Sequence, residues 1–268
     1  YMVFMDKEFL YDMLRTPSVS GHEIALQKKV IQHMEPVADE ILTDATGDVI
    51  SVLNPHAEAK VLLCGHIDEI GFLVTRICED GMLKVTKAGG IHPVLYLGTH
   101  VQVVCASQIL PGVVVTNRTL ESKEQVQVEE WFIDLGFDSK AECERYVSIG
   151  DPVCAASEFT ELAHGKLAGR ALDDRIGAFI ILEALKKAKQ KQAACGIYAA
   201  TTCGEETTMR GAYHVATRVQ PSCALIVDVT FASDYPGVSG DASGTVKLGE
   251  IGRAHVRTPV TYADLVCR

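Results

Sequence analysis

The chain has 268 residues, 47% hydrophobic and 22% charged, with a net charge of −10. That much apolar material builds one large domain or two modest ones. The acidic balance argues against a nucleic acid or an anionic membrane as partner, and no apolar run approaches the ~20 residues of a membrane span.

The opening "YMVFMDKEFL" has early charges and no small-residue cleavage site, so it does not read as a secretory signal. The first residue is Tyr1 rather than Met, so the natural start is expected upstream. Nine cysteines are scattered without a C-x-x-C pair. An odd, unpatterned set reads as reduced thiols in a cytoplasmic protein.

In chain order, "SVSGHEIALQKKVIQHM" places Ser20 and Glu23 at capping-box spacing before apolar residues at helical intervals. "VISVLN" and "AKVLLCGHID" read as strands, the second apolar enough to be buried on both faces. From about Phe72 to Val153 the texture changes. The runs "GFLVTRI", "MLKVTKA", "HVQVVCA" and "PGVVVTN" follow one another, and a helical stretch, "DSKAECERYV", closes the section. This predicts a small β-rich domain inserted into an α/β chain. "DDRIGAFIILEALKKAKQK" then reads as a long helix with a basic last turn, "ACGIYAATTC" as a strand, "TMRGAYHVATRV" as a helix and "CALIVDVTF" as another buried strand. Strand–helix–strand order predicts a parallel or mixed sheet with helices on its faces.

The polar residues at the strand ends carry the chemistry. His66 and Asp68 follow the strand ending in "LLCGH", and Asp173 and Asp174 precede the long helix. Glu205 and Glu206 follow "YAATTCG", and Asp228 lies at or near the end of the fourth strand. Open α/β sheets bind ligands at the carboxyl ends of their strands, so these groups can converge. One His with several carboxylates suits a divalent ion. Crowded carboxylates raise one another's pKa values, and the basic residues nearby in sequence are few: Arg170, Arg175 and Arg210. Two metal ions sharing a bridging carboxylate offset that repulsion and suit hydrolysis by a shared water.

Each piece also has a plain structural reading. A lone histidine is more often a satisfied side chain than a ligand. Asp173–Asp174 suits an N-cap with first-turn acids, and Glu205–Glu206 suits the first turn of the next helix. Asp228 in an apolar strand fits neither, because burying an unpaired carboxylate costs several kcal/mol. Acid pairs also cleave sugars, but a glycosidase needs neither His66 nor Asp228.

"MLRTPSVSGHE", "GHIDEIGF", "IDLGFDSKAE", "ALDDRIGA", "GEETTMRGA" and "DVTFASDYPG", in this order over residues 8–249, resemble the M42 metallo-aminopeptidases. That group includes the tetrahedral (TET) aminopeptidases and bacterial glutamyl aminopeptidase. The resemblance implies an α/β fold, a mixed sheet flanked by helices, interrupted by a small β-rich domain. It divides the chain into a catalytic domain at 1–71 and 161–249, with an inserted dimerisation-type domain at 72–160. It implies two divalent metal ions, zinc or cobalt, peptide substrates, and a homo-oligomer, the family forming dodecamers. By position, His66 is implied as a ligand of one metal with the catalytic Asp68 behind it, and Asp173 as the bridging carboxylate. Glu205 is implied as the general base, Glu206 as a ligand of the other metal and Asp228 as a further ligand. The adjacent glutamates are then expected in an extended turn, pointing in different directions.

The chain departs from the family at Thr208, where a Gly is common, and after Gly249. The text "EIGRAHVRTPVTYADLVCR" has no family likeness and reads like translated sequencing-adapter DNA. Residues 250–268 are therefore expected to be a non-native tail on a C-terminally incomplete chain, leaving an open sheet edge. They stand where the family supplies a late metal-ligating His, a role for which His255 follows Asp228 too soon. On that reading a catalytically impaired oligomeric or binding protein is the alternative to an active aminopeptidase.

Overall fold

The computed structural model describes residues 6–116, 127–156, 159–234, 236, 246–247 and 256–257. Two helices come first. The sequence reading has no counterpart to α1 (Lys7–Arg15), which is capped by Asp6 accepting from the Phe9 N–H and buries Phe9, Leu10, Met13 and Leu14. Helix α2 (Ile24–Met34) forms where the apolar period predicts it, but the capping box does not. Glu23 accepts instead from the Gly21 and Gly204 N–H groups, and the Ser20 hydroxyl meets Thr207. A tertiary contact has taken over the local cap.

The central sheet contains β1 (Glu40–Thr43), β2 (Val49–Leu53) and β3 (Lys60–His66). After β3 the chain leaves the sheet. Strands β4 (Gly71–Ile77), β5 (Leu83–Ala88), β6 (His100–Val104), β7 (Ile109–Thr116), β8 (Trp131–Asp134) and β9 (Pro152–Ala155) close into a barrel in the order β4-β5-β8-β7-β6-β9. Their inward residues, among them Phe72, Val85, Val101, Val114, Trp131 and Ile133, make a core of their own. The helical stretch expected at 138–147 reduces to one turn, α3 (Lys140–Cys143), capped by Ser139.

A short hairpin, β10 (Thr160–Glu161) and β11 (Leu167–Ala168), leads back to the long helix α4 (Leu172–Gln190). Strand β12 (Gly196–Thr202), the short helices α5 (Glu205–Thr208) and α6 (Arg210–Val219), and β13 (Cys223–Ile226) complete the layers. Two more residues, Val256–Arg257, form β14. The sheet order is β1-β2-β12-β3-β13-β14. Strand β3 runs parallel to both β12 and β13, and β2 runs antiparallel to β12, so the sheet is mixed as expected.

Alternation along β12 explains the layering. Ile197 and Ala199 face α1, α2 and α4, whereas Tyr198 and Ala200 face α6 across Val215 and Val219. Strand β13 is shorter and less buried than "CALIVDVTF" suggests; it ends at Ile226, which is exposed. Its outer edge is not wholly open either, since Ala224 and Leu225 pair with Arg257 and Val256. The rest of the expected tail, His255 included, lies outside the described residues.

Candidate metal centre

Strands β3, β12 and β13 end side by side, so the polar groups that follow them meet. Gly65 sets the first approach: a Cβ there would lie 2.9 Å from the Ala178 backbone nitrogen. Strand and helix therefore touch backbone to backbone, and His66 sits against the start of α4. Its Nε2 lies 3.0 Å from Asp173 Oδ1 and 3.8 Å from Glu205 Oε2.

The two aspartates at the head of α4 face different ways. Their backbones are non-helical although the helix has begun. Asp173 is exposed and turned to His66. Asp174 is fully buried; one oxygen accepts from the Gly177 N–H and the other from the His66 N–H. The plain N-cap reading thus describes Asp174, but Asp173 is left facing the site.

The glutamate pair stands in the first turn of α5, not in an extended turn. Successive helical residues are rotated by about 100°, so the two carboxylates still diverge. Asp68, with no exposed surface, anchors this turn: Oδ1 accepts from the Glu205 N–H at 3.0 Å and Oδ2 from the Glu206 N–H at 3.2 Å. It also lies behind the imidazole, at 3.5 Å from His66 Nδ1, although its backbone carbonyl is nearer at 3.2 Å. Asp228 lies two residues past the end of β13 and is exposed, not buried as its apolar neighbours imply; its carboxylate accepts from the Val229 N–H.

Electrostatics in this cluster follow from burial and crowding. Burial raises Glu206 to about 7, with the Asp173 charge adding to it, and burial raises Asp174 to about 8. Burial lifts Glu205 and Asp228 as well. Burial alone would lower His66, but its hydrogen bonds to Asp173 and Asp68 prevail and push it up to about 11. Asp68 is held below the usual carboxylate range: burial opposes ionisation, and the His66 contact outweighs it. The cluster is rich in acceptors and short of positive charge.

That donor set fits a divalent cation. Ligand atoms of His66, Asp173 and Glu206 lie within 4.8 Å of one another, and so do those of His66, Asp174 and Asp228. An imidazole with carboxylates is a donor set for zinc, cobalt or manganese.

Sequence reasoning does not find Glu69, and it names Arg170 and Arg175 only as charges near the acids. Glu69 accepts from the Ser18 N–H, from Arg170 and from the fully buried Arg175, which also donates to the Met13 and Leu14 carbonyls. This knot ties the loop after β3 to α1 and α4. Its sequence signal is an acid adjoining "HID" and two arginines flanking "ALDD", residues that proximity in the chain does not connect.

A mixed sheet under an acidic, histidine-bearing rim is the layout of a metal-dependent peptidase. The chain belongs to the M42 glutamyl aminopeptidase family, whose sequence profile matches residues 47–254. It is 30% identical over 239 residues to a lysyl aminopeptidase of Pyrococcus furiosus, covering 85% of this chain and 67% of that one. A TET aminopeptidase from the marine sediment archaeon Thaumarchaeota archaeon SCGC AB-539-E09 superposes with a TM-score of 0.83 at 31% identity, over 89% of this chain and 70% of that one. The TET1 peptidase of Pyrococcus horikoshii, which can assemble into a tetrahedron or a large octahedral shell, superposes with a TM-score of 0.79 at 32% identity, over 91% and 72%. The chain is thus a peptidase by family. Among the described residues no helix is long and apolar enough to cross a membrane.

Proposed function

We propose that this protein is a dinuclear metal-dependent aminopeptidase that removes N-terminal residues from peptides. His66, Asp173, Glu206 and Asp228 would hold two divalent ions, zinc or cobalt, and Asp173 would be the carboxylate that serves both. The observation that carries this reading is the convergence of His66, Asp173 and Glu206 within 4.8 Å, beside a second carboxylate, Glu205, 3.8 Å from the same imidazole. When bound, the ions supply Lewis acidity that acidifies water and polarises a carbonyl.

The chain's own residues do the rest. Asp68 holds the Glu205–Glu206 turn and the back of the His66 ring, so both are oriented before substrate arrives. Glu206 would hold the cation with His66 and Asp173, which would leave Glu205 free to move a proton. Burial raises Glu205, which suits a group that accepts a proton from the attacking water and returns it to the leaving amine. The surplus negative charge also complements the ammonium of a peptide N-terminus.

The barrel, Gly71–Ala155, is the part we assign to contacts between subunits, in line with the assemblies of the solved relative. A cytoplasmic location agrees with the described cysteines all being free.

Glu205→Gln tests the reading. It should leave metal binding by calorimetry nearly intact and lower turnover of aminoacyl-p-nitroanilides by at least ~100-fold, the lower range for general acid–base catalysis. Loss of bound metal in that variant, or near-normal turnover, contradicts the assignment.

A further inference from the structure

Below the site, at the start of β2, a second group of acids has an unusual count of protons. Thr46 Oγ1 lies 2.5 Å from Asp44 Oδ1 and 2.7 Å from Asp48 Oδ2. A hydroxyl carries one proton and can donate to only one of them. The second contact needs a proton from the carboxyl group itself.

We propose that Asp48 is held at neutral pH as a protonated carboxyl that donates to Thr46 and positions the turn presenting Glu205 and Glu206. Which acid keeps the proton follows from the surroundings. Asp44 Oδ1 accepts from the Thr46 N–H at 3.0 Å, the Asp48 N–H at 3.1 Å and the Thr46 hydroxyl. Three donors on one oxygen favour an ionised acceptor. Asp48 is 1% exposed, and burial raises it while Asp44 is lowered, its hydrogen bonds outweighing burial. Among the described residues, the α6 cation Arg218 donates to the Thr43 carbonyl at 2.8 Å, and none of the ion pairs reaches Asp48. Cys203 at the end of β12 and Cys64 in β3 are thiols kept neutral by burial, Cys64 at about 12. Arg210 at the head of α6 turns to Glu23, 3.9 Å away.

The positioning role is geometric. Asp48 Oδ1 accepts from the Cys203 N–H at 2.8 Å, and the Cys203 carbonyl accepts from the Gly211 N–H at 3.1 Å. A Cβ on Gly211 would collide with Asp48 Oδ1, so α6 rests directly on this carboxyl. Asp48 thereby clamps both ends of the segment from Cys203 to Gly211, within which lie Glu205 and Glu206. An ionised Asp48 would keep the Cys203 bond but set a bare oxygen against Thr46. The link to metal binding rests on the function proposed above; the protonation state does not.

The test compares Asp48→Asn with Asp48→Ala. Asparagine reproduces a neutral acid: its oxygen accepts from Cys203 and its amide donates to Thr46. The infrared difference spectrum between the unsubstituted chain and Asp48→Asn at neutral pH should show the loss of one protonated-carboxyl band, while those of Asp174 and Glu206, raised to about 8 and about 7, cancel. Titrated with Zn²⁺ alone, Asp48→Asn should bind within about threefold of the unsubstituted chain and Asp48→Ala at least about tenfold more weakly, the range for groups that orient ligands. A group with a raised folded pKa contributes stability that is lost as pH rises through that pKa, so Asp48→Asn should also flatten the fall of stability at rising pH. A difference spectrum with no protonated-carboxyl loss overturns the proposal, as does an Asn variant as damaged as the Ala variant. If the unsubstituted chain binds no Zn²⁺, the metal reading fails, and the infrared band and pH profile alone decide for Asp48.

Discussion

Asp68 and Glu205, 137 residues apart, are joined by a 3.0 Å hydrogen bond from the Glu205 N–H to the Asp68 carboxylate, whose other oxygen takes the next N–H at 3.2 Å. One buried acid therefore sets the direction of both glutamates, and it does so from the strand end that carries His66. Asp68→Asn should disturb all of these at once, because an amide NH₂ would oppose one of the two N–H donors. Metal affinity should fall about 10–100-fold. Calorimetry giving unchanged affinity would show that the turn holds without it.

Asp173 and Asp228 should behave differently on titration with metal. Asp173→Asn should weaken both ions together if its carboxylate is shared, whereas Asp228→Asn should weaken mainly one. Equal, single-site losses from the two variants would remove the distinction.

The Glu69 knot makes a prediction about stability. Arg175 is fully buried, and Glu69 is its carboxylate partner at 2.7 Å. Glu69→Ala leaves that guanidinium facing Arg170 with no counter-charge. Removing one partner of a buried pair costs about 3–5 kcal/mol. Urea denaturation should show a loss of that size, and one below about 1 kcal/mol would mean that the backbone carbonyls suffice for Arg175.

His33 should make stability sensitive to mild acid. Lys186 donates to His33 Nε2 at 2.6 Å, which requires a neutral ring, and the imidazole stacks on Phe9 at 3.6 Å. Burial and then the Lys186 charge lower its pKa. The unfolded chain therefore binds more protons below about pH 6.5, the ordinary imidazole value, and stability falls as pH drops through that window. His33→Gln should lose less melting temperature between about pH 7.5 and about pH 5.5 than the unsubstituted chain. Equal losses would place the sensitivity elsewhere.

Sequence alone determines the element types along most of the chain. Val49–Leu53 and Gly71–Ile77 announce themselves as short, mostly apolar and β-branched runs, and Ile24–Met34 by its period of about 3.6. The concentration of His66, Asp173, Glu205, Glu206 and Asp228 near strand ends is equally plain as a set of residue types. Adjacency in the chain does not say which member of an acidic pair is structural. Only the close approach at Gly65 turns Asp174 inward as a helix cap and leaves Asp173 facing His66. The same limit hides the Ser20 and Glu23 contacts, the Glu69 knot and the Asp48 clamp. Each includes a hydrogen bond or ion pair between segments 50 or more residues apart, and such partners are chosen by how the layers pack, not by any local period.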